Sequence, residues 1–411
     1  MDEIEVPEYF ICPISLQIMK DPVTAITGIT YDRESIEHWL FSDSKNTAIC
    51  PVTKQPLPKD SDLTPNHTLR RLIQAWCVEN ACKGIDRIPT PKSCMNKFHV
   101  LKLIADLDRP SLQMKTIREI ETLALENERN RKYMVEAGLP KALLLFILKN
   151  YFKKSKIDGL QESLSILRLI RIPSSESKIL VSENDQIIEC FSWILGCNNY
   201  IDDQHITVRS HAVSVLKKLL EEASSSILER LKPEFIENIV EVIRASKITQ
   251  QGINAALSIL LHACPWGRNR IMMVQFGAVF ELIELEWRSP ERKTTELIMG
   301  ILFHLCSCAD GREKFLSHKG GIAVVAKRIL NVSPVTDDRA ILILALICKY
   351  SGTSMVLEEM LKVKAVSKLC MIIQADCAIY LKEKAREILK SHSDEWRKSP
   401  CISNAYTFLT R

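Results

Sequence analysis

The sequence predicts a small α+β module over residues 5–79, a linker over 80–97, an all-α repeat array over 98–392 and a C-terminal tail over 393–411. Three observations carry this reading. From Pro7 to Trp76 the chain alternates irregular apolar loops with one hairpin and two short amphipathic helices. Beyond Phe98 apolar residues recur at helical spacing, with almost no strand-type alternation. That helical pattern then repeats with a period of about 43 residues, as in arrays whose units share one core.

The module begins with Tyr9-Phe10-Ile11-Cys12-Pro13-Ile14-Ser15-Leu16. This run is too irregular for an amphipathic helix and too broken by proline for a central strand, so it is a loop. A loop this apolar is either buried or held out as a contact surface. Asp21-Pro22-Val23-Thr24 and Ile29-Thr30-Tyr31 flank Thr27-Gly28 and predict a hairpin. Asp32 stands where an N-cap belongs, and Ile36, Trp39 and Leu40 repeat at i, i+3, i+4, so a short helix follows. A second irregular loop, Ala48-Ile49-Cys50-Pro51-Val52-Thr53-Lys54-Gln55-Pro56-Leu57, comes next. After Pro65 and the cap Asn66, the residues Leu69, Leu72, Ile73, Trp76 and Cys77 predict one apolar face of a closing helix.

Two loops pinned about a central helix is the plan of a zinc-held RING finger, which needs about eight Cys or His ligands, mostly in CxxC pairs. Up to Asn80 the chain holds Cys12, Cys50, Cys77, His38 and His67, with no CxxC. No metal and no cofactor are therefore expected. Pro7-Glu8-Tyr9-Phe10-Ile11-Cys12-Pro13-Ile14, Met19-Lys20-Asp21-Pro22-Val23, Gly28-Ile29-Thr30-Tyr31-Asp32-Arg33, Cys50-Pro51-Val52-Thr53 and Leu63-Thr64-Pro65-Asn66 resemble the U-box. That family is RING-like and metal-free, its loops held by hydrogen bonds and ion pairs.

The resemblance implies an E3 ubiquitin ligase that recruits a ubiquitin-charged E2 enzyme and positions its thioester, without a covalent intermediate of its own. By the family pattern Ile14, Leu16, Trp39 and Pro51 make the apolar E2 contact, and Lys54 stands where a cation bonds to both E2 and ubiquitin. Cys12, Pro13 and Val23 support the first loop. Neither Cys12 nor Cys50 has a base or ligand set nearby in sequence, so both read as small buried residues. U-boxes also form homodimers in some members, and nothing in this sequence decides that point.

In the array, Gly252 to Leu285, Thr295 to Leu330 and Arg339 to Ile373 each carry an apolar helix, a polar break, a short helix and a second apolar helix. Arg129-Asn130-Arg131 echoes Arg268-Asn269-Arg270 and extends the array backwards, with two less regular units between. About six repeats of armadillo or HEAT type result, from roughly Phe98 to Lys390. Pro140 and Pro233 sit at helix starts, where proline is tolerated. Stacked repeats present a long surface, here expected to bind the protein substrate. Armadillo arrays that import nuclear cargo resemble a regular ladder of Trp and Asn four positions apart. Trp193, Trp266 and Trp287 are unevenly spaced, with Cys197 and Glu291 where two of the Asn would stand, which argues against import. A U-box followed by armadillo repeats is similar to a group of plant ubiquitin ligases, and Arg87-Ile88-Pro89-Thr90-Pro91-Lys92 resembles the linker of its stress and immune-signalling subgroup. That likeness implies proteasomal degradation of the substrate as the outcome.

Composition agrees with these assignments. The 55 basic residues are interleaved with 50 acidic ones for a net charge of +5, so nucleic acid is not demanded. The apolar run from Ala340 to Cys348 is far shorter than the roughly 20 residues that span a bilayer, and the acidic start lacks the apolar stretch of a secretory signal. Fourteen cysteines in such a chain suggest reduced thiols and a cytoplasmic or nuclear location. Cys306-Ser307-Cys308 with His304 lacks a fourth ligand and reads as packing.

Overall fold

The structure is a computed structural model of the chain and describes residues 5–42, 47–58, 63–81, 85, 97–152, 158–170, 172–183, 186–196, 204–221, 223–245, 248–288 and 290–397. It divides into two compact units, Met1–Cys94 and Met95–Arg411. The linker motif at 87–92, Cys197 and the tail beyond residue 397 lie outside the described residues.

In the first unit β1 (Pro22–Thr24) pairs antiparallel with β2 (Thr30–Asp32), Val23 opposite Tyr31. The turn between them needs a left-handed residue, and Gly28 supplies it at φ +79°. Helix α1 (Arg33–Ser42) follows. The second loop, expected to be irregular throughout, is instead held at its base by β3 (Thr47–Ile49) and β4 (Pro56–Pro58), a hairpin of its own. Prolines disguised it in the sequence. In an isolated two-stranded ribbon a proline need not donate, and here exposed Pro56 and Pro58 alternate with buried Leu57. A short β5 (Thr64–Pro65) adds to the free side of β1.

Helix α2 (His67–Glu79) closes the unit, its N-cap Asn66 accepting from the Leu69 amide at 3.0 Å. Its apolar face is narrower than the periodicity predicts. Ile73 and Cys77 are buried and Leu69 and Trp76 half-buried, but Leu72 is 52% exposed. So small a unit has no further described element to cover that edge.

The second unit opens with α3 (Lys97–Leu107) and continues in six helix triplets. The first three triplets are α4 (Gln113–Glu126), α5 (Glu128–Glu136) and α6 (Leu139–Phe152); α7 (Leu160–Leu169), α8 (Ser174–Glu183) and α9 (Gln186–Gly196); and α10 (Gln204–Glu221), α11 (Ser225–Glu229) and α12 (Pro233–Ala245). The next are α13 (Gln250–Ala263), α14 (Gly267–Gln275) and α15 (Ala278–Trp287), then α16 (Arg292–Cys306), α17 (Ala309–Ser317) and α18 (Gly321–Arg328). The last is α19 (Pro334–Ser351), α20 (Ser354–Lys362) and α21 (Ala365–Gln374), after which α22 (Ile379–Ser391) and α23 (Ser393–Arg397) close the array. First helices stack on first helices and last on last, so one apolar spine runs from Val100 to Trp396.

The echoed Arg-Asn-Arg motif has a structural reason. Asn269 donates to the Ala263 carbonyl at 3.1 Å and Arg270 to that of Cys264 at 2.8 Å. Asn130 and Arg131 do the same to Leu123 and Ala124 at 2.9 and 2.7 Å. Each motif satisfies the orphan carbonyls at a helix end and fixes the break that follows. Cys306 is buried in the spine, and Cys308 donates to the Leu305 carbonyl, as packing requires.

Helix α15 starts after Gly277 at φ +85°, and α21 starts after Lys364 at φ +60°. A side chain in that region costs about 1–2 kcal/mol, partly offset by the freedom glycine gains in the unfolded chain. Lys364→Gly should therefore raise stability by about 0.5–1 kcal/mol. Urea denaturation of the full chain checks this, a lowered midpoint counting against it.

Candidate functional site

The two loops of the first unit are one turn built twice. Cys12 N donates to Gln17 O at 2.8 Å and Leu16 N to Cys12 O at 2.9 Å, while Cys50 N donates to Gln55 O at 2.8 Å and Lys54 N to Cys50 O at 3.0 Å. Leu16 and Lys54 both take left-handed backbone, φ +56° and +59°. The signal was present in the chain as Cys12-Pro13-Ile14-Ser15-Leu16-Gln17 and Cys50-Pro51-Val52-Thr53-Lys54-Gln55. Non-glycine residues in this conformation store strain, which persists only where the surroundings over-determine it.

Neighbouring residues of β2 hold both turns. Asp32 N donates to the Cys12 sulfur at 3.2 Å, and the Tyr31 hydroxyl meets the Cys50 sulfur at 3.0 Å. Thr27 Oγ1 at 3.5 Å and Thr53 N at 3.4 Å also reach the Cys50 sulfur. Cys12 and Cys50 are thus buried, as expected, and are also hydrogen-bond hubs, which the sequence did not reveal. Burial works against ionisation of the Cys50 thiol, but the donors Thr53, Tyr31 and Thr27 outweigh it and bring its pKa down to about 6. Burial likewise opposes ionisation of Cys12, and the amides of Ser15, Asp32 and Ile14 outweigh it. Tyr31 is pushed up, by burial and then by its bond to Cys50, and stays a donor.

A thiol whose folded pKa is depressed adds stability that is full above its unfolded value, about 8.5, and is lost as pH falls through about 6. Tyr31→Phe should move the thiolate absorbance midpoint upward and flatten the fall in melting temperature over that window. An unmoved midpoint would remove Tyr31 from this role.

Carboxylates brace the frame around the turns. Asp21 accepts from Arg33 Nε at 2.6 Å and from Arg70 at 3.2 Å, and Arg33 also faces Glu37 at 3.7 Å. Asp32, at the expected cap position, presents its Oδ1 to the amides of Lys20 and Asp21, each at 2.8 Å. Among the described residues no group of three or more His, Cys, Asp or Glu side chains is placed to hold a metal ion.

On this frame Leu16 is 77% exposed and Trp39 is 44% exposed, while Lys54 is exposed and Ile14 and Pro51 are half-buried. Ile14 also packs against the core. The Trp39 indole donates to the Ile49 carbonyl at 3.0 Å, tying α1 to the entrance of the second turn. Val23 is fully buried, whereas Pro13 is exposed. Sequence reasoning missed Val52, 48% exposed, which occupies in the second turn the position that Ile14 occupies in the first. The two turns thus hold apolar side chains out to solvent, and the second also carries exposed Lys54.

In the array, Trp193 packs edge-on against Tyr151, Trp266 immediately precedes α14 and Trp287 ends α15 exposed. None of the three lies on the stacked first helices.

Residues 6–82 match the U-box domain family, and residues 99–411 match the plant U-box protein ARM repeat region. E3 ubiquitin-protein ligase PUB24 of Arabidopsis thaliana is 44% identical, over 100% of this chain and 96% of its own length. E3 ubiquitin-protein ligases PUB23 and PUB22 of the same plant are 41% and 39% identical, over 98% and 97% of this chain and 96% and 97% of their own lengths.

Proposed function

This chain belongs to the plant U-box proteins with an ARM repeat region and is an E3 ubiquitin ligase, and we accordingly propose that residues 5–79 bind the charged E2 through Ile14, Leu16, Trp39, Pro51 and Lys54. The observation that carries this is the apolar group held out on two strained, identically bonded turns. No group of the chain attacks the thioester. The substrate lysine does so, and the chain contributes orientation, with each ~1.4 kcal/mol removed from the barrier worth tenfold in rate. Lys54 at the margin would bond to both E2 and ubiquitin. A lysine is a point charge on a flexible stem, so it grips less tightly there than an arginine fork would.

The ARM array holds the protein substrate, and the two units divide the labour between activation and selection. The reading extends to proteasomal degradation in plant stress or immune signalling, in the cytoplasm or nucleus, where the described free cysteines stay reduced. A homodimer through the U-box is compatible with this scheme.

A chain lacking residues 95–411 should still discharge the E2 to free lysine and build self-directed chains, yet fail to modify its target. Discharge assays beside target ubiquitination separate these outcomes. A target modified equally well without the array would refute the division.

A further inference from the structure

The second helices α5, α8, α14, α17 and α20 have nine or ten residues, but α11 has five, about one turn fewer. The sequence accounts for this. Ser224, Ser225 and Ser226 favour a cap over a helix interior, and Pro233 disfavours helical backbone at Lys232. Beside the short helix, between α9 and α12, lies a cavity of about 670 Å³. That volume is ordinary for a binding site.

Trp193 and Ile188 of α9, Phe235 of α12 and Ile227 of α11 give the cavity an apolar lining. Trp193 is braced edge-on by Tyr151, ring centroids 5.4 Å apart. Asn238 also lines the space and donates to Ser192 O and Ser192 Oγ, each at 3.0 Å, which locks α12 to α9 and keeps the walls in place. Four charged side chains complete the lining, and three of them are accounted for. Glu189 accepts from Lys232 at 2.5 Å, and Glu234 stands in the first turn of α12, where the amino end of a helix favours a carboxylate. Arg230 is left: it is exposed and, among the described residues, has no ion pair.

We propose that this cavity takes a large apolar side chain of the protein substrate, and that an Asp or Glu next to it in the substrate meets Arg230. The inference rests on the array being the substrate-holding unit. The guanidinium fork matches a carboxylate in shape as well as charge. A peptide suits the site better than a free small molecule. Small-molecule sites enclose most of their ligand, whereas Ser224, Ser226, Arg230, Lys232 and Glu234 are all exposed and leave a chain a way in and out.

The test is isothermal titration calorimetry on the full-length protein with four probes: a capped Gly/Ser peptide centred on Trp-Asp, the same peptide with Ala-Asp, the same with Trp-Lys, and N-acetyltryptophan amide. The Trp-Asp peptide should bind at least about tenfold more tightly than each of the others. Ser226→Trp should fill the mouth of the cavity and abolish that binding. Arg230→Glu should weaken the Trp-Asp peptide about tenfold and strengthen the Trp-Lys peptide, a reversal that general unfolding cannot produce. Both positions are exposed, so neither substitution disturbs the spine. Equal binding of the Ala-Asp peptide, binding of the amide as tight as that of the peptide, or an unchanged Trp-Asp preference in Arg230→Glu would overturn the proposal. A target still held by both the Arg230→Glu and Ser226→Trp chains sinks this cavity alone; one held by a chain lacking residues 95–411 sinks the array's role itself.

Discussion

Trp39→Ala should reduce E2-dependent ubiquitin transfer at least about thirtyfold, the equivalent of the ~2 kcal/mol that a central aromatic anchor contributes to a small interface. The indole has two tasks. It presents an apolar face to solvent, and its N–H tethers α1 to the Ile49 carbonyl at 3.0 Å. Trp39→Phe keeps the apolar ring and loses the tether, so it should fall between wild type and alanine. The loss should appear in E2 affinity and discharge while circular dichroism stays unchanged, because Trp39 contributes little to the buried core. Full chain-building activity in Trp39→Ala would sink the contact assignment.

The second large effect concerns stability of the array. Glu286 on α15 is buried and accepts from Arg328 Nε at 2.5 Å and from Thr295 Oγ1 at 3.0 Å, so one carboxylate braces three helices. Arg328→Met leaves that carboxylate without its cation and should cost about 3–5 kcal/mol. Burial already pushes the Glu286 pKa up, against the pull of Arg328 and Thr295, and removing Arg328 pushes it further. A carboxyl whose folded pKa is raised adds stability at low pH and loses it as pH rises through that value. The deficit should therefore grow in denaturant titrations as pH is raised above the ordinary carboxylate range. Glu286→Leu with Arg328→Met should recover most of it, since an apolar pair of similar volume avoids the desolvation of both charges. A double variant as unstable as the single one would contradict this account.

Much of the first unit was legible from local chemistry. Thr27-Gly28 between β-prone runs, and Asn66 ahead of an apolar stripe, act through their own backbone neighbours, and both took the expected form. The hairpin under the second turn was hidden because proline suppresses strand signals even at positions where no donor is needed. Leu72 belongs to the expected apolar face yet is left exposed, because periodicity reports a face and not how much of it is covered.

Spacing along the chain was enough for the kinds of element, their order, the repeat period and the apolar residues of the two loops. What those residues face came from packing. Tyr31 and Asp32 are neighbours in β2, yet one meets the sulfur of Cys50 and the other that of Cys12. Asn269 and Leu228 belong to different repeats, and helix stacking is what brings the Asn269 amide to the Leu228 carbonyl at 2.8 Å. Spacing within an element is set by backbone geometry, whereas contacts between distant residues are set by the fit of whole elements against one another, which no local window of sequence contains.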